Sequence, residues 1–409
     1  MGRFIVVVLD GFGVGEMDDV KLTRTQDIGS NTAYKLLNYY SDQDLPVLGK
    51  LGLNNVVKSR TSVIKKNRFA NTGTINLKHE GCDTFAGHQE LMGTLPKKPL
   101  VKPFYYSIDA IENALLKHGY QVERVNRLDA EILFVNQCVM VGDNLEAELG
   151  QVYNITANLN LISFDELQIL GTVIRGANNV SRNVVFGGLL DSNQSLFDAI
   201  EVRGKYIGVN APRSGAYDKG FQVVHLGYGV DHSVQAPQMI NQNGVKTILI
   251  GKVADIVQIK NGVNFVKMVD TDDIFERSVE EIKKLNNGFF CINIQETDLS
   301  GHKENSELYW STLQRADEGI GRIISLLNKD DILIITADHG NDPFIGHGMH
   351  TRERVPLLLV SEGIYGVDFG ERGTLADIGA TVCDYFNANP PEFGTSFLSL
   401  IHIKKNISV

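Results

Sequence analysis

The sequence predicts an α/β protein built on an open, mostly parallel sheet, and three observations support this fold class. Several short runs of β-branched and aromatic residues are almost wholly apolar, as expected for strands buried on both faces. Segments with helical spacing of apolar residues lie between these runs, which is typical of parallel strands joined by crossover helices. Polar residues follow several of the runs directly, and ligand sites in open α/β sheets lie at the carboxyl ends of strands.

Four apolar runs predict the central strands, at residues 4–9, 246–250, 289–294 and 331–336. Three segments between or after them predict helices, near residues 235–242, 304–328 and 375–386. In the second of these segments Leu313, Ile320 and Leu327 recur on one helical face, which predicts an amphipathic helix packed on the sheet.

The domain organisation follows from length and texture. The chain has 409 residues, and at ~100–200 residues per domain this predicts two or three domains. The stretch 96–219 has shorter elements and Asn-rich turns, which indicate a second, α+β domain inserted into the first. We therefore expect a catalytic core formed by residues 1–95 and 220–409, with an inserted cap that binds substrate at residues 96–219.

Charge and cysteine usage limit the possible partners. The 39 basic and 49 acidic residues give a net charge of −10, which argues against a large nucleic-acid interface. An anionic small substrate would therefore need a local cluster of basic side chains or a metal. The 4 cysteines are widely spaced, and no apolar run approaches the length of a membrane span. We expect a cytoplasmic protein with no membrane partner.

Carboxylates and imidazoles recur at the predicted strand ends. Taken singly, each could be a helix cap or a core residue, but together they suit Mn²⁺, Zn²⁺ or Fe²⁺. Six ligands are too many for one catalytic ion and suit two. The candidates are Asp10, Asp298, His302, Asp338, His339 and His350.

Two glycine-containing segments have competing interpretations. Residues 82–93 place the hydroxyl of Thr84 in a turn, where a metal could make it a nucleophile, although Asp83 and Thr84 could simply cap a helix. Residues 11–16 resemble a dinucleotide-binding loop but lack the third glycine at the expected position. Here we expect the glycines to let the backbone turn sharply beside Asp10.

Several motifs together resemble the phosphopentomutases, a family of the alkaline phosphatase superfamily. The resemblance covers about residues 1–95 and 222–400, and the Asp-His-Gly-Asn-Asp-Pro block with its downstream His-Thr-Arg-Glu is its most specific part. The matching segments are 8–11, 83–88, 338–343, 350–353, 377–381 and 394–397.

The resemblance implies an alkaline-phosphatase-like core that works as a two-metal phosphomutase, with manganese as the expected metal and a phosphorylated sugar as the substrate. The reaction would interconvert ribose 1-phosphate and ribose 5-phosphate, with Thr84 carrying the phosphoryl group as phosphothreonine. The first metal would be held by Asp10, Asp338 and His339. The second would be held by Asp298, His302 and His350.

The sequence also departs from the pentomutase pattern. Asp298 and His302 are four residues apart, as in the related cofactor-independent phosphoglycerate mutases, whereas pentomutases have five. The inserted segment does not follow the family pattern. Within it, Arg213 is our candidate for binding the non-reacting phosphate, because a guanidinium suits phosphate. The alternative is that Arg213 is simply a solvated loop residue. Two other functions stay open: a phosphoester hydrolase using the same metals, and a metal-binding protein without catalysis.

Overall fold

The computed structural model describes residues 2–57, 65–146 and 149–401 and divides the chain into two compact units. The first unit comprises residues 1–96 and 231–409, and the second comprises residues 97–230. The second boundary thus lies at 230, not at the predicted 219. The reason is that a strand at Gln222–Gly227 pairs with the strand at Arg182–Gly188 and belongs to the sheet of the second unit.

Strands over the described residues are β1 (Arg3–Leu9), β2 (Asn71–Ile75), β3 (Val122–Arg127), β4 (Ala130–Val135), β5 (Val139–Asp143), β6 (Val152–Asn158), β7 (Arg182–Gly188), β8 (Ile200–Arg203), β9 (Tyr206–Val209), β10 (Gln222–Gly227), β11 (Thr247–Ile250), β12 (Gly262–Phe265), β13 (Gly288–Ile294), β14 (Ile332–Thr336), β15 (Val355–Val360) and β16 (Asp368–Arg372).

Helices over the same residues are α1 (Val20–Thr23), α2 (Thr32–Tyr39), α3 (Pro46–Lys50), α4 (Leu53–Val57), α5 (Thr84–Leu91), α6 (Ile108–Lys117), α7 (Phe164–Gly176), α8 (Gln194–Asp198), α9 (Ala211–Ser214), α10 (Ala236–Asn241), α11 (Lys252–Ile256), α12 (Thr271–Lys284), α13 (Glu296–His302), α14 (Ser306–Ile324) and α15 (Ala376–Tyr385).

The first unit is built on an eight-stranded sheet with the order β12-β11-β13-β1-β14-β15-β2-β16. Every neighbouring pair is parallel except the two that involve β15, so the predicted mostly parallel sheet is confirmed. All residues of β1, β13 and β14 are buried, because helices cover both faces of a parallel sheet. The longest helix, α14, begins after Asn305, whose side chain accepts a hydrogen bond from the backbone N–H of Leu308.

The second unit is built on a six-stranded sheet with the order β10-β7-β6-β5-β4-β3, antiparallel except between β6 and β7. Helices α6 and α7 cover one face through Ile111, Leu115 and Leu170. The hairpin β8–β9 contributes Ile207 and Val209 to the core on the other face. A largely antiparallel sheet covered by helices is the α+β architecture expected of the inserted segment. Across both units, no helix within the described residues combines the length and apolar character needed to span a bilayer.

Candidate active site

Buried carboxylates gather at the carboxyl edge of the eight-stranded sheet. Asp10 follows β1, Asp298 lies in α13 just after β13, and Asp338 follows β14. Because β1 pairs in parallel with both β13 and β14, these strands end at the same edge of the sheet. The topology therefore brings together side chains that are up to 328 residues apart in the sequence, a separation that follows from their numbers.

Two overlapping groups of side chains could each hold a cation. In the first group, the ligand atoms of Asp10, Asp338 and His339 all lie within 4.8 Å of one another. In the second group, those of Asp298, His339 and His350 satisfy the same limit. His339 belongs to both groups, so the two sites adjoin. The donor types, carboxylate oxygen and imidazole nitrogen, suit a first-row divalent metal.

His302 joins the second group through helix α13. Asp298 and His302 are four residues apart on this helix and therefore share one of its faces. The Nε2 atom of His302 lies 3.3 Å from Asp298 Oδ2 and 3.1 Å from the Nε2 atom of His350. Two imidazole nitrogens this close repel each other unless a proton or a cation lies between them, which fits a shared metal ion. All six predicted ligands thus converge.

The backbone sets the tautomer of the three candidate histidine ligands. The Nδ1 atom of His302 lies 2.7 Å from the carbonyl oxygen of Gly348, and that of His350 lies 2.9 Å from the carbonyl of Cys82. His339 Nδ1 lies 3.0 Å from the carbonyl of Gly340. A carbonyl only accepts, so each Nδ1 carries the proton and each Nε2 directs a lone pair into the site, as a metal ligand must.

His339 has the environment of a neutral ligand. Its Nε2 atom is buried without a hydrogen-bond partner and lies 3.3 Å from Asp338 Oδ2 and 3.5 Å from Asp10 Oδ1. Burial lowers the pKa of His339 to about 4. The imidazole is therefore neutral at pH 7, and an unpartnered lone pair between two carboxylates fits a bound cation.

The carboxylates of the first group differ in their affinity for protons. Burial, and then the charge of Asp338, raise the pKa of Asp10 to about 7. Burial also acts to raise the pKa of Asp338, but His339 and His88 outweigh it and hold that pKa below its usual range. In the metal-free protein Asp10 therefore takes up a proton more readily than Asp338.

The raised pKa of Asp10 predicts that metal affinity increases with pH. Below about pH 7 an ion must displace the Asp10 proton, so Mn²⁺ should bind more tightly at pH 8 than at pH 6 and release protons. Titration calorimetry in two buffers of different ionisation enthalpy measures both quantities. An affinity that is flat between these pH values, without proton release, would contradict the prediction.

Lys252 is a site residue that our sequence reasoning missed. It begins α11, directly after β11, and its Nζ atom lies 3.0 Å from Asp10 Oδ2 and 3.2 Å from Asp298 Oδ2. Burial acts to lower the pKa of Lys252, but the surrounding carboxylates outweigh it and raise that pKa. The ammonium thus links a carboxylate of each ligand group. The signal was a polar residue after an apolar run, the same signal that identified Asp10.

Asn341 is a second missed residue. Its side-chain amide donates to Asp298 Oδ1 at 2.9 Å and to the backbone carbonyl of Asp298 at 3.2 Å. The amide lies against Gly301, where an added Cβ would come within 2.4 Å of Asn341 Cγ. Asn341 therefore orients Asp298, and the glycine before His302 gives it the room to do so.

Thr84 is the first residue of helix α5 and faces the first ligand group. Its Oγ1 atom donates to Asp338 Oδ2 at 2.5 Å. The side chain of Asp83 accepts from the backbone N–H of Ala86, so the helix-cap interpretation also holds for this segment. An added Cβ on Gly87 would lie 2.7 Å from the carbonyl oxygen of Asp338, so the glycine lets α5 approach this closely. The hydroxyl therefore lies at the positive end of a helix, beside a candidate ligand.

The glycine-rich loop after β1 packs against a buried carboxylate. Gly15 donates its backbone N–H to Glu353 Oε2 at 3.1 Å, and Thr32 donates both its N–H and its hydroxyl to the same side chain. An added Cβ on Gly13 would come within 2.3 Å of Glu353 Oε2. Close packing on Glu353 therefore accounts for glycine at position 13. Gly11 has a φ of 74°, as expected for a sharp turn beside Asp10.

Glu353 predicts a pH-dependent stability. Burial, and then Asp342, raise the pKa of Glu353 to about 7, so the folded protein loses stability as pH rises from its ordinary value of 4.5 through 7. Glu353→Gln keeps the shape without ionising. The free energy of unfolding of this variant, relative to that of wild type, should therefore increase by about 1–3 kcal/mol from pH 5 to pH 8. Urea unfolding in the presence of EDTA measures this difference. A relative loss over this range would contradict the assignment.

The predicted substrate residue Arg213 and two further histidines lie elsewhere or act differently. Arg213 lies in the second unit, on α9, and its guanidinium donates to the carbonyl of Asp198. His347 accepts from the N–H of Met349 at its Nδ1 atom, the opposite tautomer to the three candidate ligands. His88 is fully buried behind Thr84. The role of Arg213 in binding substrate stays a prediction.

A family model and curated relatives both match nearly the whole chain. A family model described as the Metalloenzyme superfamily matches residues 2–390. A phosphopentomutase from Clostridium kluyveri is 28% identical over 98% of this chain and 100% of its own length. One from Acetivibrio thermocellus is 29% identical over the same shares. Among solved structures, Leishmania mexicana phosphoglycerate mutase has a TM-score of 0.46 at 12% identity, covering 97% of each chain.

The family model spans almost the whole chain and includes every residue of the two ligand groups. The phosphopentomutases match over nearly their full lengths, so the similarity includes the second unit as well as the core. The chain therefore belongs to the Metalloenzyme superfamily, as a phosphopentomutase-like enzyme.

Proposed function

We propose that this chain is a two-metal phosphomutase that transfers a phosphoryl group on a pentose phosphate, of the ribose 1-phosphate and ribose 5-phosphate type, through Thr84. The observation that carries the proposal is the position of the Thr84 hydroxyl, at the start of α5 and 2.5 Å from Asp338 Oδ2. A merely structural threonine would not need to direct its hydroxyl at a candidate metal ligand.

Each candidate ligand has a defined part in this proposal. Asp10, Asp338 and His339 would hold one divalent ion. Asp298 and His350 would hold the other, together with His302. When bound, the ions would supply positive charge to the Thr84 oxygen and to the phosphoryl oxygens. Mn²⁺ suits three carboxylates and three imidazoles, and we propose it as the metal.

The protein's own groups account for the proton and the positioning. Asp338 Oδ2 accepts the hydrogen bond from Thr84 Oγ1 and so aligns the oxygen that would attack phosphorus. The bond from Oγ1 to phosphorus forms as the bond from phosphorus to the sugar oxygen breaks, and the sugar oxygen takes up the proton. In the opposite direction the phosphothreonine transfers its group to the free hydroxyl of a pentose monophosphate, and the resulting bisphosphate gives its other phosphoryl group back to Thr84, so no phosphate is released. We also retain the expectation of a cytoplasmic location as part of this proposal.

A phosphate balance tests the proposed function against hydrolysis. With Mn²⁺ and ribose 1-phosphate, we expect ribose 5-phosphate to form while inorganic phosphate stays at background in a colorimetric assay. Inorganic phosphate equal to the substrate consumed would instead identify a hydrolase. No turnover across a panel of sugar phosphates, despite two bound ions, would identify a metal-binding protein without catalysis.

A further inference from the structure

A buried asparagine interrupts the apolar central strand β13. The strand reads Gly-Phe-Phe-Cys-Ile-Asn-Ile, and Asn293 within it is fully buried and lies opposite Val8 of β1. Burying an amide costs free energy unless both its oxygen and its nitrogen are hydrogen-bonded. Both are, and the two partners belong to different parts of the candidate site.

The Asn293 amide connects β1 to helix α5. Its Nδ2 atom donates to Asp10 Oδ2 at 2.9 Å, and its Oδ1 atom lies 2.6 Å from His88 Nε2. A carboxylate oxygen accepts, so the Nδ2 group must point to Asp10. This orientation leaves Oδ1 as the acceptor for a proton on His88 Nε2. The two contacts fix the amide in one direction.

The connection continues from His88 to the residue proposed to carry the phosphoryl group. His88 Nδ1 lies 2.9 Å from the backbone carbonyl oxygen of Thr84 and 3.2 Å from Asp338 Oδ2. Asp338 Oδ2 is also the acceptor for the Thr84 hydroxyl. Hydrogen bonds thus run from Asp10 through Asn293 and His88 to both Thr84 and Asp338.

We propose that Asn293 is a positioning residue that fixes Asp10 relative to Thr84, so that the first ligand group and the threonine hydroxyl keep one geometry. This inference rests on the proposed function. The amide holds Asp10 Oδ2, while Asp10 Oδ1, which Lys252 Nζ contacts at 3.3 Å, lies 3.5 Å from His339 Nε2 and is the oxygen that would face the first ion. Asn341 orients Asp298 similarly, through two hydrogen bonds that both end on Asp298 itself.

Replacing Asn293 by alanine tests the proposal through metal binding and kinetics. We expect Asn293→Ala to weaken binding of the first of two Mn²⁺ ions by roughly 10–100-fold in titration calorimetry, while the other ion keeps its affinity. We expect kcat to fall while KM stays nearly unchanged, because the amide contacts a candidate metal ligand and not the sugar. A solely structural role would lower thermal stability without this selectivity.

Asn71 supplies the matched control. It is a buried asparagine of the same unit, with its amide donating to the carbonyls of Leu359 and Ile364 and its oxygen accepting from Val367 N–H. Asn71→Ala should lower stability and leave both Mn²⁺ affinities intact. If Asn293→Ala does not fold, Asn293→Ser gives the same test with a smaller cavity and one remaining hydroxyl.

Mn²⁺ affinities in the Asn293 variants within about two-fold of wild type would overturn the proposal. The metal titration uses no substrate, so its result is independent of the reaction. Wild-type protein that binds two Mn²⁺ ions but does not interconvert pentose phosphates would contradict the proposed function alone. Wild-type protein that binds no Mn²⁺ would overturn both.

Discussion

Thr84→Ala is expected to lower the rate of phosphomutase turnover roughly 10⁴-fold or more, while the protein still folds and binds two ions. The hydroxyl is the proposed site of the covalent phosphoryl group, whereas the candidate metal ligands are side chains of other residues. Thr84→Ser, which keeps a hydroxyl at the start of α5, should retain measurable turnover. The measurement is the rate of ribose 5-phosphate formation beside a Mn²⁺ titration.

Thr312 provides the control for Thr84. It is a buried threonine on α14 whose hydroxyl has no hydrogen-bond partner, and no candidate ligand is among its described contacts. Thr312→Ala should therefore leave kcat near the wild-type value. Turnover by Thr84→Ala equal to that of Thr312→Ala would contradict the assignment of Thr84 as the phosphoryl carrier.

Asp338→Asn is expected to lose at least one of the two ions and, with it, phosphomutase activity. Asp338 is a member of the first ligand group, accepts the Thr84 hydroxyl and lies 3.2 Å from His88. Asparagine has nearly the same shape, so the loss of charge dominates the effect. We expect Mn²⁺ affinity at the first group to fall more than about 100-fold, measured by titration calorimetry with metal analysis of the dialysed protein.

Asp317 offers a matched control for this change. It is a buried aspartate of α14 that accepts the N–H groups of Val47 and Leu48, and it belongs to neither ligand group. Asp317→Asn should affect thermal stability and leave the bound metal unchanged. If Asp338→Asn bound two ions as tightly as Asp317→Asn, Asp338 would not be a ligand.

The central strands could be predicted from the sequence because they are buried on both faces. The predicted run 4–9 corresponds to Arg3–Leu9, and 289–294 corresponds to Gly288–Ile294. The predicted helix ends were less accurate than the predicted strands. The segment 304–328 contains a shorter helix, at Ser306–Ile324. Its start is set by the Asn305 cap, while the apolar periodicity continues past its end to Leu327. Periodicity therefore locates an element better than it locates its ends.

The second domain boundary could not be predicted from local composition. The predicted boundary at residue 219 falls just before β10, which belongs to the second unit. In the structure β10 pairs with β7 over Gln222–Gly227, and that pairing depends on a strand about forty residues earlier. Strand pairing across such a distance leaves no local mark in the sequence.

The convergence of the candidate ligands was predictable, but the residues that orient them were not. Asp10 and Asp338 follow apolar strands, which is a visible signal. Asn293 lies inside a strand and Asn341 within a loop, and their function depends on which carboxylate each reaches. Lys252 carried the same strand-end signal, but lysine is usually solvated, so its pairing with two buried carboxylates was not expected.

The most direct test of a phosphoryl carrier at Thr84 is the phosphorylation state of that residue during turnover. Protein phosphorylated by a sugar bisphosphate in the presence of Mn²⁺ should show one added phosphate by intact mass, and peptide mapping should place it on Thr84. Isotopically labelled phosphate on Thr84 should then pass to added ribose 5-phosphate at a rate that matches kcat. Full turnover with no phosphate on Thr84, or with phosphate on another residue, would contradict this account.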